Sequence, residues 1–202
     1  MKKLALVVAL MGAFSTAHAT GLSVSGSSAD FNFSNYDGEP VSYTGARSVG
    51  FTGTIYATSA GVLEAVYLGQ ESDHFNIFNF SLFNGLTELS APGQTITKNI
   101  GASGTINFAF TDTTNIFNQY YNGSGAIAIL DGKIPDGVVN NYGPFDYILG
   151  FNDSGKKSLD KDYDDFVVGL RFTPSAVPVP AALPLMATAL GLFGFGASRR
   201  RI

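Results

Sequence analysis

The sequence contains no cysteine and no tryptophan, and only two of its 202 residues are histidine. Without cysteine no disulfide forms, so stability must come from an apolar core or a bound ion. Without tryptophan the largest aromatic ring is missing from any sugar-binding platform. The apolar share of 45%, with 17 Phe and 9 Tyr, is enough to fill the core of one ordinary domain.

The scarcity of histidine also limits the enzyme classes that the chain can support. His18 falls in the leader described below, which leaves His74. Ser72, Asp73 and His74 stand in a row, whereas the members of a catalytic triad meet through the fold. No phosphate loop, Cys/His zinc spacing or dinucleotide fingerprint is present. We therefore predict that the protein is not an enzyme and that His74 is an exposed loop residue.

The first 19 residues have the pattern of a secretory signal peptide. Lys2 and Lys3 precede the apolar run LALVVALMGAF, and Ala17-His18-Ala19 offers the small residues that signal peptidase accepts. This pattern predicts export through the Sec machinery and a mature chain that starts at Thr20.

Negative charge predominates in the exported region. All 16 acidic residues lie between Thr20 and Ala176, against seven basic residues, a difference of −9. Such a domain repels nucleic acid and anionic lipid and attracts cations. We therefore predict no nucleic-acid partner.

Alternating apolar residues predict β-strands between Thr20 and Thr173, and no long 3.6-residue repeat indicates a helix there. In the run at 75–83 the alternation changes phase between Ile77 and Phe78, and a bulge there would restore it. The fold class predicted for 20–173 is all-β, a β-sandwich of jelly-roll or immunoglobulin-like type. The predicted strands lie at 48–58, 75–83, 105–111, 125–131, 145–151 and 166–172.

A hairpin at 150–172 concentrates carboxylates around its loop. Because neighbouring carboxylates repel one another, a cation would favour their approach, and Ca²⁺ tolerates irregular sets of oxygen ligands. The candidate ligands are Asp153, Asp160, Asp162, Asp164 and Asp165. An EF-hand is excluded, because Asp165 stands where that loop needs Gly and Arg171 where it needs Glu. The alternative is a solvated turn whose carboxylates pair locally with Lys156, Lys157 and Lys161.

The last residues form a second targeting segment. Residues 174–180 are a proline-rich tether that ends in Val177-Pro178-Val179-Pro180, which cannot be helical. Residues 181–198 are apolar or small, and a helix over Ala181 to Ala197 would extend about 26 Å, close to the roughly 30 Å hydrocarbon core. The basic residues Arg199, Arg200 and Arg201 in the tail 199–202 would stay on the cytoplasmic side. We therefore predict a membrane anchor with the domain outside.

This order of proline strip, glycine-containing apolar helix and Arg cluster resembles the PEP-CTERM sorting signal, which exosortases read in exopolysaccharide-producing Gram-negative bacteria. Pro178-Val179-Pro180 stands where the family has Pro-Glu-Pro. The resemblance implies an exosortase-like membrane peptidase as partner, a transient inner-membrane anchor, and delivery to the cell surface or extracellular matrix. An ordinary uncut anchor is the alternative.

The hairpin also resembles the C-terminal strand pair of an uncharacterised β-sandwich domain found in PEP-CTERM proteins and some bacterial adhesins. That resemblance implies a surface or matrix protein without an established activity. The first matching element is Gly150, Phe151, Asn152 and Asp153. The second is Asp160, Asp162, Tyr163, Asp164, Asp165, Val167 and Val168.

Three function classes follow from the sequence. The leading hypothesis is an exported structural or interaction protein of the surface or exopolysaccharide matrix, stabilised by calcium. The second is a carbohydrate-binding module with Tyr120, Tyr121 and Tyr142 as stacking surfaces. The third is a secreted hydrolase that recruits carboxylates such as Glu64, Glu71 or Glu88. The tripeptide Asn122-Gly123-Ser124 also fits a glycan acceptor, which we attribute to chance.

Overall fold

The computed structural model describes residues 21–32, 37–38, 41–42, 47–81, 84–114, 118–131, 142–153, 163–175 and 188. The part of the chain before Thr188 that is described is all-β, as predicted. The strands are β1 (Leu22–Asn32), β2 (Asp37–Gly38), β3 (Val41–Ser42), β4 (Arg47–Ala57), β5 (Gly61–Gly69), β6 (Asn76–Ser81), β7 (Asn84–Thr87), β8 (Thr95–Ile100), β9 (Gly104–Thr105), β10 (Ala109–Asp112), β11 (Asn118–Tyr121), β12 (Ile127–Asp131), β13 (Tyr147–Phe151) and β14 (Phe166–Pro174).

The larger sheet has eight strands in the order β1-β4-β12-β13-β14-β5-β8, with β9 paired to the end of β4. All these pairs are antiparallel. The C-terminal strand β14 therefore lies inside the sheet, between β13 and β5. The predicted hairpin of β13 and β14 is confirmed, since Tyr147 pairs with Leu170 and Leu149 with Val168.

The smaller sheet has four strands in the order β11-β10-β6-β7, again antiparallel. A separate two-stranded ribbon joins β2 and β3. Both larger sheets contribute to one apolar core, an arrangement consistent with a β-sandwich. The predicted alternation in β14 is confirmed, because Phe166, Val168, Leu170 and Phe172 all face this core.

Aromatic rings fill the centre of the core. Phe110 of β10 stacks on Phe151 of β13 with ring centroids 4.8 Å apart, and Phe78 of β6 meets Phe110 edge-on at 5.0 Å. Such ring pairs add roughly 0.5 to 1.5 kcal/mol beyond their burial. The two sheets are thus joined by aromatic contacts rather than by the disulfides that the sequence lacks.

The opposite face of the larger sheet carries a second apolar cluster. Its buried members are Val66, Leu68, Ala128, Leu130, Phe145, Ile148 and Val167, with Tyr142 and Tyr163 packed against them. Here Phe145 covers Gly169, where an added Cβ would lie 2.4 Å from the ring, and Arg171 stacks on the same ring at 5.2 Å. The central strands are therefore buried on both faces.

The structure differs from the predicted strands at two places. The bulge expected between Ile77 and Phe78 is wrong in position, because both residues pair regularly with β10. The register of β6 with β7 instead shifts between Asn79 and Ser81. Phe78 and Phe80 face the core, and Ile77 is half-buried on the other side. The strand predicted at 105–111 is divided, because β9 pairs with the larger sheet and β10 with the smaller one. Residues 106–108 connect the two sheets, and Ile106 and Phe108 stay buried.

Candidate functional site

Polar side chains collect where several strands begin or end at one end of the core. Asn76 opens β6 and Asp112 closes β10, and these two residues are cross-strand partners. Both lie in phase with the inward-facing Phe78 and Phe110, so their side chains enter the core rather than the solvent. Each is 0% exposed, which is rare for such residues and requires polar partners.

His74 links two buried carboxylates. Its Nδ1 atom lies 3.3 Å from Asp112 Oδ2 and 3.5 Å from Asp153 Oδ1, while the His74 side chain is 30% exposed. Asp112 also accepts a hydrogen bond from the Thr114 amide at 2.8 Å. His74 lies in a loop, as predicted, but the prediction that it is exposed is wrong. The ring instead ties the β5–β6 loop to the ends of β10 and β13.

Asp153 is the most highly connected carboxylate of this group. Its Oδ2 accepts hydrogen bonds from Ser72 Oγ and from Asn76 Nδ2, the latter at 2.8 Å. Ser72 Oγ in turn accepts a hydrogen bond from the His74 amide at 2.9 Å. The Ser72 hydroxyl thus donates to a carboxylate and not to the imidazole ring, whereas a catalytic triad needs the serine to donate to histidine.

Two carboxylates of the predicted hairpin join the same group. Asp164 is fully buried and its residue forms a parallel bridge with Phe151, and Asp165 Oδ2 accepts a hydrogen bond from the Asp153 amide at 2.7 Å. Burial, followed by repulsion from Asp153 and Asp164, raises the pKa of Asp165 to about 7. The solvated-turn alternative is wrong for Asp153 and Asp164, which are 6% and 0% exposed.

The same negative charge also affects the pKa values of Glu88 and Tyr120. Burial raises the pKa of Glu88, with Asp153 adding to the increase, although Glu88 Oε1 accepts a hydrogen bond from the Asn76 amide at 2.7 Å. Burial raises the pKa of Tyr120 as well, and Asp112 and Asp153 contribute to it. The cluster is therefore a negatively charged site at the boundary of the core.

The described carboxylates do not by themselves form a metal site. Among the described residues, no group of three or more His, Cys, Asp or Glu side chains is placed to hold a metal ion. Protein donors already occupy Oδ2 of Asp153 and Oδ2 of Asp165. Asp160 and Asp162, together with Lys156, Lys157 and Lys161, lie outside the described residues.

The three tyrosines predicted as stacking surfaces lie in different places. Tyr120 packs on Phe151 at the core with ring centroids 5.1 Å apart, and Tyr142 packs on the second cluster. Tyr121 is 61% exposed on the opposite side of β11 from Tyr120. The structure therefore does not bring them together as one platform, and only Tyr121 of the three presents a largely exposed ring.

Asn122 holds three backbone groups through its side chain. Its Oδ1 accepts from the Ile55 amide at 2.9 Å, and its Nδ2 donates to the carbonyl groups of Ile55 and Ile106 at 2.9 and 2.7 Å. A glycan on Nδ2 would replace one of its two hydrogens, so one of these donor bonds would be lost. This geometry supports the view that the acceptor tripeptide is a chance match.

The targeting segments fall mostly outside the described part of the chain. This applies to residues 1–19 and to the sorting residues Val177, Pro178, Val179, Pro180, Arg199, Arg200 and Arg201. Thr188, in the middle of the predicted anchor, is described and is helical. Within the described ranges no helix has the length and apolar character needed to cross a membrane.

Comparison with known proteins gives no relative. No protein-family description matches the chain, and no curated protein or solved structure is detectably similar to it.

Proposed function

We propose that the chain is an exported structural or interaction protein of the cell surface or exopolysaccharide matrix, released from a transient inner-membrane anchor by an exosortase-like peptidase. The observation that carries this proposal is the tail, where the Val-Pro-Val-Pro strip, the uncharged segment 181–198 and three consecutive arginines follow the domain in order. The signal peptide pattern at 1–19 supports export by Sec and signal peptidase.

The described domain is suited to such a role. Its stability rests on a double-sided antiparallel sheet and an aromatic core, so it needs no disulfide in an oxidising compartment. We infer that the two sheets form a sandwich of the jelly-roll or immunoglobulin-like type. The all-antiparallel pairing and the shared core support this finer assignment.

Calcium binding at the hairpin belongs to the same proposal. Asp153, Asp164 and Asp165 come together in the fold, and burial, followed by repulsion from Asp153 and Asp164, raises the pKa of Asp165. A cation would relieve that repulsion, and Asp160 and Asp162 would complete the ligand set from the connecting loop. The oxygen-only side chains of this set suit Ca²⁺ rather than a transition metal.

Intact mass spectrometry of the protein from its native host tests the proposal. We expect a species in the medium or matrix that starts at Thr20 and ends between Val177 and Ala181. A chain that ends at Ile202 and occurs only in membranes would show that the tail is an uncut anchor and would refute processing. Deletion of the Arg199–Arg201 cluster is the matched control, because it removes the charge that holds the tail inside while leaving the domain intact.

A carbohydrate-binding module is the second candidate, favoured by the exposed ring of Tyr121. A secreted hydrolase remains the third hypothesis, and hydrolysis of glycan or ester substrates by the purified protein would be the result that supports it.

A further inference from the structure

The smaller sheet has a face that points away from the core. Inward-facing Phe78 and Phe110 alternate with residues on this opposite side, which we name the outer face. The strand register aligns its residues in two rows across β11, β10 and β6. One row is Tyr121, Ala109 and Asn79, and the other is Gln119, Thr111 and Ile77.

The outer face has small side chains along β10 between larger ones on β11 and β6, and we name this strip the groove. Ala109 and Thr111 on the central strand are small and are each 5% exposed. Larger side chains rise on both sides, with exposed Gln119 and Tyr121 on β11 and half-buried Ile77 and Asn79 on β6. Next to β6, an added Cβ at Gly85 of β7 would lie 3.0 Å from Ile77 Cγ2, so β7 packs closely against this side.

The floor of the groove contains a hydroxyl group without a partner. Thr111 Oγ1 is buried and makes no hydrogen bond to any residue that the structure describes. A buried hydroxyl in that state is unfavourable, because it has lost its hydrogen bonds to water and has formed none with the protein. A ligand hydroxyl that reaches Thr111 Oγ1 would supply the missing partner.

The outer face is also uncharged, although the exported region has a net charge of −9. None of its six residues is Asp, Glu, Lys, Arg or His, and its polar groups are two amides and two hydroxyls. The Tyr121 hydroxyl donates to Gln119 Oε1 at 2.5 Å, which orients that amide beside the ring. An exposed ring next to oriented amides suits a polyhydroxylated ligand, whereas a phosphate, a carboxylate or a cation finds no opposite charge on this face.

We infer that the outer face binds a neutral polysaccharide. The Tyr121 ring packs against the apolar face of one sugar, the amides of Gln119 and Asn79 bond its hydroxyls, and Thr111 Oγ1 bonds a hydroxyl that reaches the floor. The inference rests on the proposed function in one respect, because the matrix polysaccharide supplies the ligand. Processing of the tail is a separate property with its own test.

Affinity electrophoresis of the full-length chain in detergent tests the inference. The probes are dextran, mannan and the neutral fraction of the host's exopolysaccharide, with alginate as the anionic control. We expect retention by at least one neutral probe and none by alginate. Absence of retention by all three neutral probes, or equal retention by alginate, would overturn the inference even if the tail is processed as proposed.

Three variants then locate the site. Tyr121→Ala should weaken binding about tenfold through the lost stacking surface. Thr111→Val keeps the side-chain shape and should weaken binding about fivefold without lowering the melting temperature, because the hydroxyl has no partner to lose. Tyr120→Phe on the core side of the same strand is the matched control and should bind like the parent chain. Binding that is unchanged in Thr111→Val and Tyr121→Ala would place the ligand elsewhere and refute the assignment.

Discussion

Asn122 offers a sharp test of how the turn after β11 stabilises the domain. Replacing it by Asp keeps the shape and the acceptor for the Ile55 amide, but removes the two N–H donors that bond the carbonyl groups of Ile55 and Ile106. A carboxylate oxygen would instead face two carbonyl oxygens at the donor positions. Each lost bond costs about 1 kcal/mol, and unsatisfied or opposed acceptors add more, so we expect about 2–4 kcal/mol for Asn122→Asp.

The assay is thermal and urea-induced unfolding of the full-length chain in detergent at pH 7.5. For a domain of about 150 residues the expected loss lowers the melting temperature by about 6–12 °C. At pH 4 part of the stability should return, because protonation of the new carboxyl group restores one donor. Asn99→Asp on the exposed side of β8 is the matched control, since it adds the same charge without these bonds. A loss in Asn122→Asp that does not exceed the control would refute the reasoning.

Two further predictions concern the acidic cluster. With EDTA present, the raised pKa of Asp165 implies that its contribution to stability is greatest below about pH 4 and is lost as the pH rises to about 7. The Asp165→Asn variant should therefore be more stable than the parent chain at pH 8 but not at pH 4. An equal effect on stability at both pH values would contradict this prediction. Without EDTA, millimolar Ca²⁺ should raise the melting temperature of the parent chain but not that of the double variant Asp160→Ala plus Asp162→Ala. The same shift in both proteins would exclude a calcium site at the hairpin.

The strands that the sequence predicts well are those with one buried face. β14 is the clearest case, because Phe166, Val168, Leu170 and Phe172 alternate with residues on the other side. β5 was not predicted, because Leu63 and Ala65 face one apolar cluster while Val66 and Leu68 face the other. Burial on both faces removes the alternation on which such a prediction depends. β1 was missed for the opposite reason, since its serine-rich sequence provides few apolar residues.

The candidate site could be predicted only where its residues are close in sequence. The approach of Asp153 to Asp164 and Asp165 follows from the hairpin, but His74 and Asp112 reach Asp153 through the pairing of β6 with β10 and the packing of two sheets. One sequence signal was available. Asn76 and Asp112 continue the inward phase of Phe78 and Phe110, and a polar residue at a core position indicates a buried polar site.

The central place of β14 affects when the domain can fold. Its neighbours are β13, which immediately precedes it, and β5, which lies about a hundred residues earlier and pairs with it from Gly61 to Gly69. Until β14 has left the ribosome, β5 and β13 each lack one of their two neighbours in the sheet, and such long-range pairing is slow. In the proposed export pathway, the chain would therefore remain unfolded until almost its whole length has crossed the membrane, and the domain would fold only as the predicted anchor reaches the bilayer.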